Sequence, residues 1–392
     1  MKNLNKEINK ISMISTLPPL KGMSPYTLGL VKELSKEIEI NFFGFKSLYP
    51  EFLYPGGTKT SEQEPKLPNL NIKNTLTWYN PFSWIYTGFK IKDKIIHVQW
   101  WSWFLAPVYI TTLTIVKLRG KKVIMTIHNV EPHEKSFIKN FLNTSVISLA
   151  SEYIVHSEDN KKKFEKYAKN KKINVLPIGL EEKKQINRQE AIKEINSKLN
   201  SDIKQNDKVI LFFGNIRDYK GLDVLIEVYN DIKKQNNENN SIKLIVAGES
   251  WEKQITELIK SNKDIIFSNG FIPPSEVVYY FSASDLVVFP YKYFDASSAA
   301  ASDAISYGKA IVVTKTGGLP TLVKDKNVIA VPNSKDSLKK AILYTLYNNN
   351  NNNNNNNKDK NKIRKLEQDS KSIASSLSWK SVAKKTLEVY RG

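Results

Sequence analysis

Cysteine is absent from the 392-residue sequence. Its absence excludes disulfide bonds, thiol nucleophiles and cysteine-ligated metal, and it fits a reducing compartment. Arginine is scarce, because lysine supplies most of the 59 basic residues and the arginines are only Arg119, Arg188, Arg217, Arg364 and Arg391. An arginine in a candidate binding turn is therefore expected to act through its planar, bidentate guanidinium group.

The basic residues outnumber the 39 acidic ones and give a formal net charge of +20. This excess fits either a compositional bias towards Lys and Asn or a basic face for anionic lipid or nucleotide phosphates. No nucleic-acid reader motif accompanies the charge, so we expect no nucleic-acid partner. The N-terminal sequence MKNLNKEINKISMIS lacks the apolar core and cleavage site of a signal peptide, which predicts a cytoplasmic protein.

The segment 95–116 contains no Asp, Glu, Lys or Arg and is long enough to span a bilayer. It also contains His97, Gln99 and Pro107, with three tryptophans between positions 100 and 103. These polar and helix-breaking residues favour a short buried strand followed by an apolar helix. A membrane-spanning helix and a helix that touches the membrane surface remain as alternatives.

Short apolar segments alternate with amphipathic helical segments, which predicts βαβ units and parallel sheets. We predict an N-terminal α/β domain over 1–178, a linker over 179–207 and a second α/β domain over 208–375. A C-terminal helix within 376–392 is predicted to pack back on the first domain. The asparagine run at 348–357 offers nothing apolar to bury and is predicted to be a flexible insertion.

The segment 214–221 follows a predicted strand at 209–213 and opens the next predicted helix. It begins with Gly214, carries Arg217 and ends in Lys220-Gly221. Backbone N–H groups at a helix N-terminus favour an anion, and the two cations add charge-assisted hydrogen bonds. The turn therefore predicts a diphosphate clamp, with a solvated turn as the alternative.

Further candidates follow later strands of the same predicted sheet. Gly248 ends one strand, and the loop containing Phe271 and Ile272 could present its backbone to a nucleotide base. For both, an ordinary turn is the alternative interpretation. They are expected at the carboxyl edge of the sheet, where α/β folds bind ligands.

Two carboxylates, Asp295 and Asp303, stand eight positions apart, on a predicted loop and the helix after it. This spacing does not place them on one helical face, so we do not expect an acid/base pair. It suits two groups that bind different parts of one ligand. Ser297 and Ser298 lie between them with several alanines, and such small side chains let a ligand approach the helix N-terminus.

Together these segments resemble the nucleotide-sugar domain of retaining GT-B glycosyltransferases, specifically glycosyltransferase family 4. The family pattern is a strand, G-x5-K-G, then E-x7-E, then G-x-P-V-V-x-T-x-x-G-G. The matching residues here are Gly214 with Lys220-Gly221, Asp295 with Asp303, and the stretch from Gly308 to Gly318. Both family glutamates are aspartates in this chain.

The resemblance implies two Rossmann-like domains that face each other across a cleft, and a UDP-, GDP- or similar nucleotide-sugar donor. It implies that Arg217 and Lys220 hold the diphosphate without a metal, that Asp303 holds the ribose and that Asp295 holds the sugar. Gly22 lies in a loop similar to the family's N-terminal glycine-rich loop. His128, at the end of a predicted strand, would face the donor sugar.

Several alternatives remain at this stage. His128 could be a hydrogen-bonded structural histidine, and its spacing to His133 could suggest a metal, although Pro132 interrupts any helix between them. The acceptor is expected to be a saccharide or a lipid-linked molecule. The net charge and the aromatic-rich first domain favour a membrane-proximal acceptor, such as a lipid-linked sugar, and peripheral contact with an anionic membrane. A nucleotide-sugar-binding protein with weak or no transfer and a GT-B epimerase are the alternative functions.

Overall fold

The computed structural model describes residues 8–50, 59–60, 62–130, 137–235, 241–250, 252–293, 298–347 and 356–392. The chain divides into two compact units. Unit 1 comprises Met1–Gly179 and Leu377–Gly392, and unit 2 comprises Leu180–Ser376.

Unit 1 is built on a parallel sheet of seven strands. In chain order the strands are β1 (Lys10–Ile14), β2 (Glu39–Ser47), β3 (Leu70–Thr77), β4 (Ile95–Trp100), β5 (Lys122–Ile127), β6 (Glu152–Val155) and β7 (Ile173–Val175). Their order across the sheet is β3-β2-β1-β4-β5-β6-β7. The central strands are buried along most of their length, as the predicted apolar runs require.

In the described residues, the α-helices between these strands are α1 (Ser24–Leu34), α2 (Pro81–Lys90), α3 (Ala106–Leu118), α4 (Phe137–Ser148) and α5 (Glu158–Ala168). The strand β4 and the helix α3 confirm the prediction that segment 95–116 is a buried strand followed by an apolar helix. Within the described part of the chain, no helix is both long and apolar enough to cross a bilayer.

The strand β3 and the helix α2 were not predicted from the sequence. The strand β3 is an edge strand that buries only its last residues, so its polar sequence gives no apolar run. Helix α2 buries Thr87 and Gly88 while several of its aromatic residues are exposed, which reverses the pattern that a surface helix normally shows.

Unit 2 contains a second parallel sheet, of six strands. They are β8 (Lys208–Phe213), β9 (Ile242–Gly248), β10 (Ile265–Asn269), β11 (Leu286–Phe289), β12 (Ile311–Thr314) and β13 (Ile329–Ala330). Their order is β10-β9-β8-β11-β12-β13. The helices are α6 (Arg188–Leu199), α7 (Leu222–Gln235), α8 (Lys253–Ser261), α9 (Val277–Ala283), α10 (Ala299–Ser306), α11 (Lys335–Leu346) and α12 (Asn356–Ser376).

The stretch expected to be a linker, 179–207, is not wholly irregular, because it contains α6. The helix buries Ala191, Ile192 and Ile195 and packs against α9. Its many charged residues gave it the composition of a linker, but three apolar residues on one face suffice to hold it on unit 2.

The last helix, α13 (Trp379–Arg391), belongs to unit 1 and packs against α1. The indole of Trp379 fills the space beside Gly29 and Gly179, where a Cβ atom would overlap the ring. Most of the asparagine run, 348–355, lies outside the described residues, and α12 begins at Asn356.

Candidate functional site

The order of the unit 2 sheet reverses between β8 and β11, which are neighbours. Ligands of α/β sheets bind outside the carboxyl ends of the strands at such a reversal. The glycine turn with Arg217 and Lys220 follows β8, and the segment that leads to α10 follows β11. The sheet therefore brings together the two segments that the sequence singled out.

The backbone at Gly214 in the glycine turn, and at Gly248 where β9 ends, is held in conformations that favour glycine. Gly214 has φ of 109° and Gly248 has φ of 148°. A Cβ atom on Gly248 would overlap the carbonyl of Gly214, and one on Gly214 would lie 3.3 Å from both the Lys220 Nζ and the Ala300 Cβ. The turn therefore lies against both the lysine and the first turn of α10.

Lys220 is a buried cation at this turn. Its side chain is 8% exposed, and its Nζ lies 5.6 Å from the centre of the Tyr291 ring. Burial, and secondarily the charge of Arg217, lowers the pKa of Lys220 from 10.5 to about 8. Within the described residues it has no carboxylate partner, so an anion bound here would relieve its desolvation.

A neighbouring lysine is in the opposite situation. Lys292 Nζ lies 2.7 Å from the Asp218 carboxylate and 2.9 Å from that of Asp223. These carboxylates raise the pKa of Lys292 against the effect of its burial. Of the two lysines at this turn, Lys292 is neutralised by the protein, whereas Lys220 has no carboxylate partner among the residues that the structure describes. Arg217 is half-buried at the start of the same turn.

Ser298 is buried and acts as the N-cap of α10. Its Oγ accepts a hydrogen bond from the Ala301 N–H at 3.2 Å and lies 2.9 Å from the Tyr291 hydroxyl. This capping role fits the preference for serine at helix N-termini. Two other predicted site residues, Asp295 and Ser297, lie outside the described residues.

Asp303 lies one turn after Ala300, the residue beside Gly214, and so on the same face of α10. Its carboxylate forms an ion pair with Lys183, with Nζ and Oδ1 2.6 Å apart. Lys183 comes from the segment before α6, and its backbone N–H also donates to the Ser306 carbonyl. A ribose that binds Asp303 would therefore share the carboxylate with Lys183 or displace the lysine.

Gly248 is the last residue of β9, and the loop with Phe271 and Ile272 follows the adjacent strand β10. The N–H of Gly270 donates to the carbonyl of Gly248. Phe271 is 77% exposed and Ile272 is half-buried. The loop offers an apolar surface and backbone groups at the same sheet edge as the glycine turn.

The sheet of unit 1 reverses its strand order between β1 and β4. Gly22, in the loop after β1, has φ of 82°, and the loop is fixed by a hydrogen bond from the Met23 N–H to Thr16 Oγ1. His128 follows β5, and its N–H donates to the Trp100 carbonyl at the end of β4. Both candidates of unit 1 therefore lie at the carboxyl edge of the sheet.

His128 belongs to a chain of hydrogen-bonded side chains. Its Nδ1 lies 3.0 Å from His156 Nε2, and its Nε2 lies 2.7 Å from Gln99 Oε1. The chain continues to His97, whose Nδ1 lies 2.6 Å from the hydroxyl of Tyr390 in α13. Burial lowers the pKa of His97 to about 3 and that of His156 to about 4, and it holds the pKa of His128 well below 6.5.

The proton positions on His156 and His128 follow from their hydrogen-bond partners. The Leu176 carbonyl can only accept a hydrogen bond, so His156 donates one to it from Nδ1. If His156 is neutral, its Nε2 carries no proton and accepts a hydrogen bond from His128 Nδ1. A neutral His128 then needs a donor at its own Nε2, which the Gln99 amide supplies when its nitrogen faces the ring. The amide oxygen in that place would require both His128 nitrogens to donate and the ring to be an imidazolium, which the lowered pKa of His128 disfavours, so the amide nitrogen is assigned to this contact.

Sequence reasoning did not identify Lys183, Gln99 or Tyr390. Lys183 lies in a charged stretch where no pattern distinguishes it from its neighbours. Gln99 lies two residues after His97 on β4, and that alternation in a buried strand was a usable signal of a polar network. Tyr390 reaches His97 only because α13 packs into unit 1.

Comparisons with known proteins agree with this architecture. Residues 192–364 match the family model of glycosyl transferases group 1. Lipopolysaccharide 1,2-N-acetylglucosaminetransferase of Salmonella typhimurium is 25% identical over 198 residues, covering 47% of this chain and 48% of the relative. An uncharacterized glycosyltransferase of Methanocaldococcus jannaschii is 23% identical and covers 91% of this chain and 94% of its own.

The chain spans about half the length of the first curated relatives that it matches. Among solved structures, Anabaena HepE in complex with UDP has a TM-score of 0.65 at 14% identity, covering 98% of this chain and 99% of its own. This likeness over both units confirms the predicted α/β fold of two Rossmann-like halves. The chain therefore has the GT-B fold, and its residues 192–364 are similar to glycosyl transferases group 1.

Proposed function

We propose that the protein is a retaining glycosyltransferase that moves a sugar from a nucleotide-diphosphate donor to a saccharide or lipid-linked acceptor. The observation that carries this proposal is Lys220, a buried ammonium group without a carboxylate partner in the described residues, at a glycine turn beside a helix N-terminus. An anionic diphosphate is the ligand that such a turn suits. The match to a glycosyltransferase domain supports the same conclusion.

The chain's own residues would supply the catalysis. Lys220 and Arg217 would offset the negative charge that develops on the departing diphosphate, so the proposed reaction uses no metal. Asp303 would bind the ribose, and Asp295 the sugar hydroxyls. His128 is the catalytic candidate of unit 1. The resemblance to family 4 supports retention of configuration at the transferred sugar.

Donor binding is tested by a thermal-shift panel of UDP-, GDP- and ADP-sugars. A ligand at a hundred times its Kd stabilises the folded protein by about 2.7 kcal/mol, so at least one sugar nucleotide should raise the melting temperature. Lys220→Ala should abolish this rise, and Lys260→Ala, at an exposed position of α8, should keep it. If no nucleotide sugar stabilises the wild type, the proposed function is wrong.

Transfer itself needs a separate measurement. With the stabilising donor and candidate acceptors, the product's anomeric configuration, read by NMR, should match that of the donor. Asp295 and Asp303 are each one methylene shorter than the glutamates of the family pattern, which favours a second candidate function. That candidate is a nucleotide-sugar-binding protein with little transfer, which would bind the donor and release no product with any acceptor.

A further inference from the structure

Helix α2 presents its apolar face outward. Phe82, Ile85, Tyr86 and Phe89 are all exposed, with Phe82 at 81% and Phe89 at 60%. Their spacing of three, one and three residues places them on one face of the helix. A surface helix normally turns such a face towards the core, so an unpaired face of this kind marks an interaction surface.

The apolar surface continues on the neighbouring helices. Helix α3 packs against both α2 and α4, and its last residue, Leu118, is exposed. Helix α4 exposes Phe137 (86%), Ile138 and Phe141. These side chains and those of α2 form what we call the aromatic face of unit 1.

Ring contacts connect the first turns of α2 and α4. Trp78 contacts Tyr79, which precedes α2, with ring centroids 5.4 Å apart, and it contacts Phe104 at 5.7 Å. Phe104 contacts Trp103, over which Lys139 of α4 places its Nζ at 5.0 Å. These ring contacts and the Lys139–Trp103 contact therefore link the start of α2 to the first turn of α4.

The charge of these helices has one sign. The sequences of α2, α3 and α4 contain no Asp or Glu and one lysine each, Lys90, Lys117 and Lys139. Lys90 places its Nζ 5.7 Å from the centre of the exposed Tyr86 ring. Aromatic rings with adjacent lysines and no carboxylates are the composition that binds the interface of an anionic bilayer.

We propose that the aromatic face of unit 1 binds the surface of an anionic phospholipid bilayer, with α2 lying in the headgroup region. The apolar side chains would insert between lipids while the lysines contact the phosphates. This inference deepens the proposed function and rests on it in one respect: a surface-bound enzyme would meet a lipid-linked acceptor without extracting it from the membrane.

The test is sedimentation of the full chain with vesicles, without any donor. The wild type should bind vesicles of phosphatidylcholine mixed with phosphatidylglycerol more tightly than vesicles of phosphatidylcholine alone. The double variant Phe82→Ser, Phe89→Ser should bind about a hundredfold more weakly, since each insertion is worth roughly a factor of ten. Both positions are exposed, so the variant should fold, and Val331→Ser, exposed on unit 2, should bind as the wild type does.

A charge variant separates the two contributions. Replacing Lys90, Lys117 and Lys139 by Gln should lower the affinity for the mixed vesicles about fivefold per lysine and leave the affinity for phosphatidylcholine vesicles unchanged. Added salt should lower the affinity of the wild type for the mixed vesicles in the same way. The proposal is overturned if the wild type does not sediment with mixed vesicles, or if the Phe82→Ser, Phe89→Ser variant sediments equally well.

Concentration-dependent dimerisation that this variant abolishes, without vesicle binding, would also overturn it and identify a second copy of the chain as the partner. Nucleotide-sugar thermal shifts measured without vesicles test the proposed function independently.

Discussion

Replacing Lys220 by methionine should stabilise the ligand-free protein and abolish its affinity for a nucleotide diphosphate. Methionine keeps most of the unbranched stem but removes the charge. The ammonium group is buried against Tyr291, and Arg217 adds a second positive charge. The folded protein therefore holds this cation at a cost, which a bound diphosphate would remove.

The size of the effect follows from the pKa. A lowering from 10.5 to about 8 corresponds to roughly 3 kcal/mol of lost stability at pH 7. The unfolded chain binds the proton more tightly, so the wild type gains stability as the pH rises from about 8 to 10.5, where the unfolded lysine also loses its charge. The difference between variant and wild type should be largest below pH 8 and shrink across this window.

Urea denaturation followed by circular dichroism, repeated at several pH values, measures the difference. Lys292→Met is the matched control, because Lys292 follows β11 and lies beside the same turn, where its N–H donates to the Tyr219 carbonyl. Its ammonium group pairs with Asp218 and Asp223, so its removal leaves two carboxylates without their cation and should destabilise the protein. The two substitutions are chemically identical and are expected to change stability in opposite directions.

Two outcomes would refute this reasoning. If Lys220→Met is no more stable than the wild type at pH 7, the buried cation is compensated within the protein. If its advantage does not decline between pH 8 and 10.5, the gain comes from packing and not from charge. In either case, Lys220 would not be an uncompensated charge that a bound anion stabilises.

Three further predictions concern other contacts. Gly29→Ala should destabilise unit 1 by more than about 1 kcal/mol in urea, because Trp379 occupies the Cβ position, although alanine is ordinarily the better helix former. Acidification from pH 6.5 to 4 should lower the midpoint of urea unfolding, because His97 and His156 bind protons in the unfolded chain but stay neutral in the folded one. The variant His97→Asn should make the unfolding midpoint depend less steeply on pH. Lys183→Ala should strengthen donor binding in calorimetry by at most about fivefold, the limit for a half-exposed ion pair.

The strands at the centre of both sheets could be predicted from sequence because they are continuously apolar and flanked by turns. The strand predicted at 209–213, for example, is β8, Lys208–Phe213. The edge strand β3 and the helix α2 follow no such rule. One is mostly polar, and the other turns its aromatic residues outward.

Candidate site residues were predictable where a local pattern carries the chemistry. Gly214 and Lys220 adjoin because a strand, a turn and a helix follow one another along the chain. The ion pair of Asp303 with Lys183 spans 120 positions, and the bond of His97 with Tyr390 spans 293. Such contacts depend on how distant elements pack, which a single sequence does not encode in any local spacing.

The two ends of the proposed donor site differ in a way that bears on binding. Lys220 is a cation that lacks a carboxylate partner in the described residues, whereas Asp303 is a carboxylate already paired with Lys183. A diphosphate would supply a missing partner, while a ribose would compete with an existing one. Most of the donor's binding free energy should therefore come from its phosphates. The nucleoside diphosphate should bind far more tightly than the nucleoside, whatever its base.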